Sequence, residues 1–145
     1  MSPPITNESE AVRRANLAFY RAFESLEVAK MEQVWLHSVR VQCTHPGWRR
    51  LVGYSAVIES WQRIFENTFE MSFDLTGVEI SVVGALAWVV CTENITSRTY
   101  DGVSRSQVEA TNVFERHGGE WHIVHHHGSP VVSGPPSEEP SPHLQ

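Results

Sequence analysis

Residues 73–100 read FDLTGVEISVVGALAWVVCTENITSRTY, with apolar side chains at every second position over most of the stretch. A repeat of two is typical of a β-strand, because successive side chains point to opposite faces of a sheet. The alternation changes phase at Gly77, which predicts a β-bulge that bends the strand. Val83-Gly84-Ala85 then turns the chain, so the stretch predicts two long antiparallel strands, the second over Leu86–Tyr100.

Two further strands are predicted after residue 100. Asp101-Gly102 is a hairpin turn signal, and Gly118-Gly119 marks the next turn. The two predicted strands cover residues 104–117 and 121–129. Together with the preceding pair they form an antiparallel meander.

Before the meander, apolar residues spaced three or four apart predict helices. The predicted helices cover residues 8–26, 28–36 and 54–67. Val39, Val41 and Cys43 alternate with polar residues and predict a short strand between the second and third helices. Helices followed by a meander predict an α+β fold, with three helices packed on one face of a bent antiparallel sheet.

The chain has 145 residues, the length of one domain, and we expect that domain to cover residues 8–131. The proline-bearing ends, 1–7 and 132–145, are predicted to be disordered. Eleven basic against seventeen acidic residues argue against nucleic-acid binding. The apolar runs are too short for a membrane span, so no membrane partner is expected. Cys43 and Cys91 form neither a disulfide framework nor a zinc motif, which favours a cytoplasmic protein.

The predicted strand that begins at Leu86 is apolar on both faces. Ala87, Val89 and Cys91 lie on one face, whereas Leu86, Trp88, Val90 and Thr92 lie on the other. An antiparallel sheet with one wet face should alternate between apolar and polar residues. Since the helices can cover only one face, the other is predicted to form a homodimer interface. The alternative is that the polar, proline-rich C-terminal tail covers this face.

Histidines are concentrated in the last predicted strand. Counting by twos from Trp121 and Ile123 sends His125 and His127 to the inner face and His126 to the outer face. Two histidines on one face could bind a metal, with Glu93 or His45 as a third ligand. Two alternatives stay open: a hydrogen-bonded polar pair in a pocket, and histidines with a purely structural role.

Two further polar residues are predicted to face the interior. Glu93 is the ionisable residue on the apolar face of its strand, and burial would raise its pKa toward the range of a general base. A salt bridge to Arg98 or a hydrogen bond to a histidine is the structural alternative. Asn112, between Ala110 and Phe114, would orient His127, bind a ligand, or serve the structure alone.

Large aromatic residues are the other unusual feature, because they can line a small-molecule pocket or simply fill a core. The predicted wall of the pocket consists of Tyr20, Trp35, His45, Trp48, Trp61 and Phe114. The sequence lacks a glycine-rich phosphate loop, a Gly-x-Ser-x-Gly elbow and a His-Glu-x-x-His motif.

Four segments, taken in order, resemble a known family. They are Ala18-Phe19-Tyr20-Arg21-Ala22-Phe23, His45-Pro46-Gly47-Trp48, Ala110-Thr111-Asn112-Val113-Phe114, and Gly119-Glu120-Trp121 continued through the histidines to Gly128-Ser129-Pro130. This combination resembles a SnoaL-like domain of the nuclear transport factor 2-like superfamily, over about residues 8–131. Within it, the sequence is similar to the branch related to the association domain of calcium/calmodulin-dependent kinase II.

The resemblance implies a cone-shaped α+β barrel, with a pocket inside the cone and a dimer formed through the outer sheet face. It does not imply one reaction, because the superfamily includes isomerases, cyclases, dehydratases and non-catalytic assembly domains. The Tyr and two Asp residues that ketosteroid isomerase uses have no evident counterpart here, since no pattern pairs Asp74 or Asp101 with Tyr20.

Three functions stay open at this point. The first is binding of a small apolar carbonyl compound, with acid/base chemistry of isomerase, cyclase or dehydratase type and no cofactor. In that case Glu93 or His127 would be the general base, and Asn112 and His125 would orient the base or the substrate carbonyl. The second is a non-catalytic dimerisation, assembly or ligand-sensing domain. The third is a metal-dependent enzyme that uses His125 and His127.

Overall fold

The computed structural model describes residues 7–132 of the chain. The helices in this range are α1 (Asn7–Ser25), α2 (Val28–Val34) and α3 (Tyr54–Glu66). The strands are β1 (Gln42–Thr44), β2 (Leu51–Val52), β3 (Thr68–Val83), β4 (Leu86–Thr99), β5 (Gly102–His117) and β6 (Glu120–Pro130). The predicted tails fall almost wholly outside the described residues, but Asn7, assigned to the first tail, is the first residue of α1.

The six strands form one sheet in the order β2-β1-β6-β5-β4-β3. The strands β3 to β6 make an antiparallel meander, whereas β1 pairs with β6 in parallel. The three helices pack against this curved, mostly antiparallel sheet. The predicted α+β cone is therefore confirmed.

Helix α1 crosses the concave side of the sheet because one of its faces is apolar. Its buried residues recur every three or four positions, as an amphipathic helix requires. They are Val12, Asn16, Phe19, Tyr20, Ala22 and Phe23. The helix ends where Leu26 adopts a left-handed backbone, with φ of 58°. No helix among residues 7–132 is long and apolar enough to cross a membrane.

Three register shifts interrupt the pairing of the meander, and the first lies between Thr68 and Glu70 at the start of β3. The predicted bulge at Gly77 is confirmed: the pairing of β3 with β4 shifts between Thr76 and Glu79, and Gly77 has a positive φ. The bulge in β6 was not predicted. Phe114 pairs with Ile123, whereas Val113 pairs with His125, so Val124 is an extra residue in β6. An extra residue changes which face every later side chain of the strand occupies.

The predicted strand from Val39 is partly wrong. Val39 is 84% exposed, and β1 begins only at Gln42. The segment before β1 forms a turn at Val39 and Arg40 instead, where the backbone N–H of Arg40 donates to the hydroxyl of Ser38. The strand β2 was not predicted, because two residues are too few to show an alternation.

Strand β4 has one face buried under the helices and one exposed face, although the sequence is apolar on both. Ala87, Val89 and Glu93 are buried on the helix side. On the other side Leu86 and Trp88 are exposed, Trp88 by 37%. The described residues thus leave an apolar patch on the outer face of the sheet.

Candidate functional site

A carboxyl group and a phenol lie side by side inside the cone. Strand β4 sends Glu93 inward, and α1 places Tyr20 directly over it. The Tyr20 hydroxyl donates a hydrogen bond of 2.5 Å to Glu93 Oε2. Both side chains are buried. The alternative salt bridge between Glu93 and Arg98 is wrong, because Arg98 points outward and pairs with Glu70.

Burial sets the protonation chemistry of this pair. Loss of solvation raises the pKa of Glu93 to about 7, although the hydrogen bond from Tyr20 opposes the rise. The pKa of Tyr20 is raised far above its ordinary value, first by burial and then by the charge of Glu93. Tyr20 therefore stays neutral, while Glu93 can both accept and release a proton near neutral pH.

Asn112 extends the pair into a buried polar network. Its Nδ2 donates to the Tyr20 hydroxyl at 3.1 Å and to Asn16 Oδ1 at 2.9 Å. Its Oδ1 lies 2.6 Å from Nδ1 of His126. Glu93 and Asn112 thus share one site, linked by Tyr20, and the histidine that contacts Asn112 is His126.

The predicted orientation of the histidines in β6 is wrong. His126 is 1% exposed and points into the cone, whereas His125 is half-buried and His127 is exposed. The extra residue Val124 is the physical reason, because it inverts the alternation that was counted from Ile123. His125 and His127 therefore do not reach Glu93, and Asn112 does not orient His127.

The candidate metal ligands do not lie together, for the same reason. Glu93 and His45 are buried on the inner side of the sheet, across the backbone from His125 and His127. Among residues 7–132, no group of three or more His, Cys, Asp or Glu side chains is arranged to hold a metal ion.

Most of the predicted pocket wall lies in the core. Trp35, Trp61 and Phe114 are at most 1% exposed and belong to the hydrophobic core, where the two tryptophans pack on Phe19. They therefore fill the interior rather than surround an open space. Trp48 is 40% exposed and lines a separate surface depression of about 420 Å³.

His45 belongs to a second buried cluster, which the sequence analysis did not resolve. Its Nε2 lies 2.8 Å from the Ser60 hydroxyl, which donates to the carbonyl of Val57. The Sγ of Cys43 lies 3.7 Å from the same ring. Burial lowers the pKa of His45 to about 4 and raises that of Cys43, so both are neutral and Cys43 is not a ready nucleophile.

Tyr20 lines a groove between α1 and β3. The groove has a volume of about 210 Å³ and is lined by Leu17, Tyr20, Arg21, Glu24, Phe73 and Leu75. Leu75 is the cross-strand partner of Glu93, so the apolar floor of the groove lies next to the buried carboxyl group. A molecule in the groove would meet Tyr20 first, with Glu93 behind it.

Sequence reasoning missed Asn16 and His126. Asn16 could have been found, because it interrupts the apolar face of α1 between Val12 and Tyr20, where a polar residue needs a partner. His126 could not, since nothing in the sequence marks the bulge at Val124.

Three helices on a curved, mostly antiparallel sheet define an α+β cone of the nuclear transport factor 2-like class. A superfamily protein from Salmonella enterica has this fold, with a TM-score of 0.79 and 16% identity, over 90% of this chain and 96% of that one. The chain belongs to the family of SnoaL-like domains, whose family model matches residues 12–133.

Two structures and one curated protein are more similar in sequence. A Streptomyces avermitilis protein of the NTF2-like family, provisionally named a dehydratase, is 38% identical, with a TM-score of 0.82, over 87% of this chain and 97% of that one. A Thiobacillus denitrificans protein, provisionally named a calcium/calmodulin-dependent protein kinase type II association domain, is 28% identical, with a TM-score of 0.74, over 83% and 94%. F-box protein SKIP8 of Arabidopsis thaliana is 33% identical over 86% of this chain, which spans about half (51%) of that protein.

Proposed function

We propose that this protein is an acid/base enzyme that moves a proton beside the carbonyl group of a small, largely apolar substrate. The observation that carries the proposal is the 2.5 Å hydrogen bond from Tyr20 to Glu93, directly behind the groove. Tyr20 is the group that touches substrate, and Glu93 is the general base behind it. The pKa of Glu93, about 7, suits a group that must accept and return a proton near neutrality.

The proton moves through the phenol without charging it. As the Tyr20 oxygen accepts a proton from the substrate carbon, its own proton passes to Glu93, and the electron pair of the broken C–H bond forms an enolate. Because the pKa of Tyr20 is raised far above its ordinary value, a concerted transfer is favoured over a tyrosinate intermediate. Asn112 donates to the same oxygen and holds it in place.

The groove and one relative favour dehydration or isomerisation. A volume of about 210 Å³ over an apolar floor suits a small substrate, below the range of drug-sized ligands. In a dehydration, the enolate re-forms the carbonyl and expels a β-hydroxyl group. That group leaves as water with the proton returned from Glu93 through Tyr20. The Streptomyces avermitilis relative carries a provisional dehydratase name.

Proton exchange tests the proposal without requiring the natural substrate. Small 3-hydroxy ketones and unsaturated ketones in D₂O, followed by ¹H NMR, report deuterium incorporation beside the carbonyl. We expect Tyr20→Phe to lower the exchange rate at least about 100-fold, as is usual for loss of a proton-transfer group. Tyr100→Phe removes an exposed hydroxyl at the β4–β5 turn and should leave the rate unchanged. Exchange at the wild-type rate in folded Tyr20→Phe would contradict the assignment.

A second role, assembly as a homodimer through the outer sheet face, is favoured by the apolar patch around Trp88. Leu86, Val90 and Val113 surround this side chain on β4 and β5. A second copy is the natural occupant, because a symmetric dimer covers the same patch on both chains. The Thiobacillus denitrificans relative carries the name of an association domain, and the longer F-box relative agrees with use of such a domain in assemblies.

One pair of tryptophan variants tests the interface. Trp88→Glu places a charge within the patch and should give a folded monomer by light scattering and circular dichroism. Trp48→Glu changes a tryptophan of similar exposure away from this face and should leave the dimer intact. A Trp88→Glu protein that stays dimeric would rule out this interface.

A further inference from the structure

We propose that His126 and Asn16 are positioning residues, which fix the amide of Asn112 so that it directs the hydroxyl hydrogen of Tyr20 to Glu93. The inference rests on the proposed function, in which Tyr20 and Glu93 move the substrate proton. Neither His126 nor Asn16 lines the groove where substrate would sit. Both would act through the hydrogen bonds of Asn112.

The directions of the hydrogen bonds follow from the chemistry of each atom. Asn16 Oδ1 can only accept, so the group of Asn112 that faces it, at 2.9 Å, is the NH₂ group. Asn112 Oδ1 is then the atom 2.6 Å from His126 Nδ1, and since this oxygen can only accept, Nδ1 carries the hydrogen. The second hydrogen of the NH₂ group points to the Tyr20 oxygen at 3.1 Å.

The two anchors together oppose a flip of the Asn112 amide. If the amide turned over, its oxygen would face the oxygen of Asn16, and its NH₂ group would face the N–H of His126. Buried groups left in this way without partners cost free energy, so the observed orientation is strongly favoured. Every bond in the chain from His126 to Glu93 then donates in the same direction, which strengthens each of them.

His126 is suited to this role because its surroundings keep it neutral. Its ring packs on Phe19 and Trp61, with ring centroids 5.0 and 6.0 Å apart. Burial, with smaller effects from His45, His125 and His127, holds the pKa of His126 well below its ordinary value. A neutral ring carries one N–H, and Asn112 fixes that hydrogen on Nδ1.

Without its anchors, Asn112 could present its oxygen to Tyr20. The hydroxyl hydrogen would then turn toward Asn112, and Glu93 would lose the donor that holds its pKa down. The other titratable groups near Glu93 are the phenol itself and the thiols of Cys43 and Cys91. Burial raises the pKa of each, so all three are neutral around pH 7 and do not mask the titration of the carboxyl group.

The test compares two replacements of His126. His126→Phe keeps a flat ring without the N–H, whereas His126→Asn keeps an N–H donor about as far along the side chain as Nδ1. The readout is the titration of the Glu93 carboxyl carbon by ¹³C NMR, assigned with Glu93→Gln. We expect His126→Phe to raise the pKa of Glu93 by about one pH unit, and His126→Asn to restore it.

A matched control and a second anchor complete the design. His122→Phe makes the same chemical change on β6 away from the network and should leave the Glu93 titration unchanged. Asn16→Ala removes the other anchor and should move the pKa of Glu93 in the same direction as His126→Phe. This second variant tests the role even where His126→Phe does not fold.

The titration needs no substrate, so its outcome is separate from that of the proposed enzyme activity. An unchanged Glu93 titration in a folded His126→Phe or Asn16→Ala protein would overturn the positioning role, even in an active enzyme. A shifted titration that His126→Asn reverses supports the role, even if no ketone is turned over. In an active protein we further expect kcat to fall about tenfold in His126→Phe, with little change in KM.

Discussion

Replacing Glu93 by glutamine should stabilise the protein at alkaline pH and change little at acid pH. Burial raises the pKa of Glu93 from its ordinary 4.5 to about 7. Glutamine keeps the shape of the side chain, and its Oε1 can still accept the hydrogen bond from Tyr20. At about 1.4 kcal/mol per pH unit, ionising Glu93 costs the folded state about 3 kcal/mol in full.

The direction of this pH dependence follows from which state, folded or unfolded, holds the proton. Between pH 4.5 and 7 the folded protein keeps a proton on Glu93 that the unfolded chain has released. The free energy of unfolding therefore falls as the pH rises through this window, and it stays low above pH 7. The free energy of unfolding of Glu93→Gln does not fall in this way. It should therefore exceed that of the wild type by about 1 kcal/mol at pH 5 and by about 3 kcal/mol at pH 8.

Urea unfolding at a fixed protein concentration, followed by tryptophan fluorescence, measures the difference between the two proteins. Histidines that also respond to pH are present in both and cancel in the comparison. Glu79→Gln, which removes an exposed carboxylate, should stay within about 0.5 kcal/mol of the wild type at every pH. A constant difference between Glu93→Gln and the wild type from pH 5 to pH 8 would refute the argument that Glu93 is ionised at a cost.

The structure also predicts how two other substitutions affect stability. His45→Gln keeps an N–H donor toward Ser60 but cannot titrate. The pKa of His45 is about 4 in the folded protein and near 6.5 in the unfolded chain. The free energy of unfolding of the wild type should therefore fall by up to about 3 kcal/mol between pH 6.5 and pH 4 relative to this variant. Equal acid sensitivity of the two proteins would count against a buried neutral ring. Gly128→Ala would place a Cβ 3.1 Å from the Pro46 ring, so we expect a loss of about 1–3 kcal/mol by thermal or urea unfolding, and an unchanged stability would show that the ring can move away.

Most of the fold could be predicted from the sequence, because apolar residues recur every second position in long strands and every three or four positions in amphipathic helices. Gly77 also marked its bulge, since glycine readily takes the left-handed backbone found there. Val39 misled the prediction because local alternation does not show whether a strand has a neighbour to pair with. The segment before β1 instead forms a turn, in which the backbone N–H of Arg40 donates to the Ser38 hydroxyl.

The site was only partly predictable, for reasons of the same kind. Glu93 and Asn112 lie on strands whose inner face the surrounding apolar residues define, so their meeting inside the cone could be expected. The histidines could not be assigned, because Val124 follows the apolar Ile123 and gives no sign that it is an extra residue. The packing of the interior decides between the two faces, and a single sequence does not contain that information.

Because β6 contains three consecutive histidines, three registers of the strand could each place a histidine beside the amide oxygen of Asn112. A slip of the strand by one residue in either direction would set His125 or His127 opposite the amide, with no change in the chemistry of the pair. The close fit at Gly128 separates these alternatives, because a slip would bring His127 or Ser129 to its place. Any Cβ there meets the Val108 side chain at 3.0 Å and the Pro46 ring at 3.1 Å. A residue without a side chain thus favours, together with the bulge at Val124, the register in which His126 enters the cone.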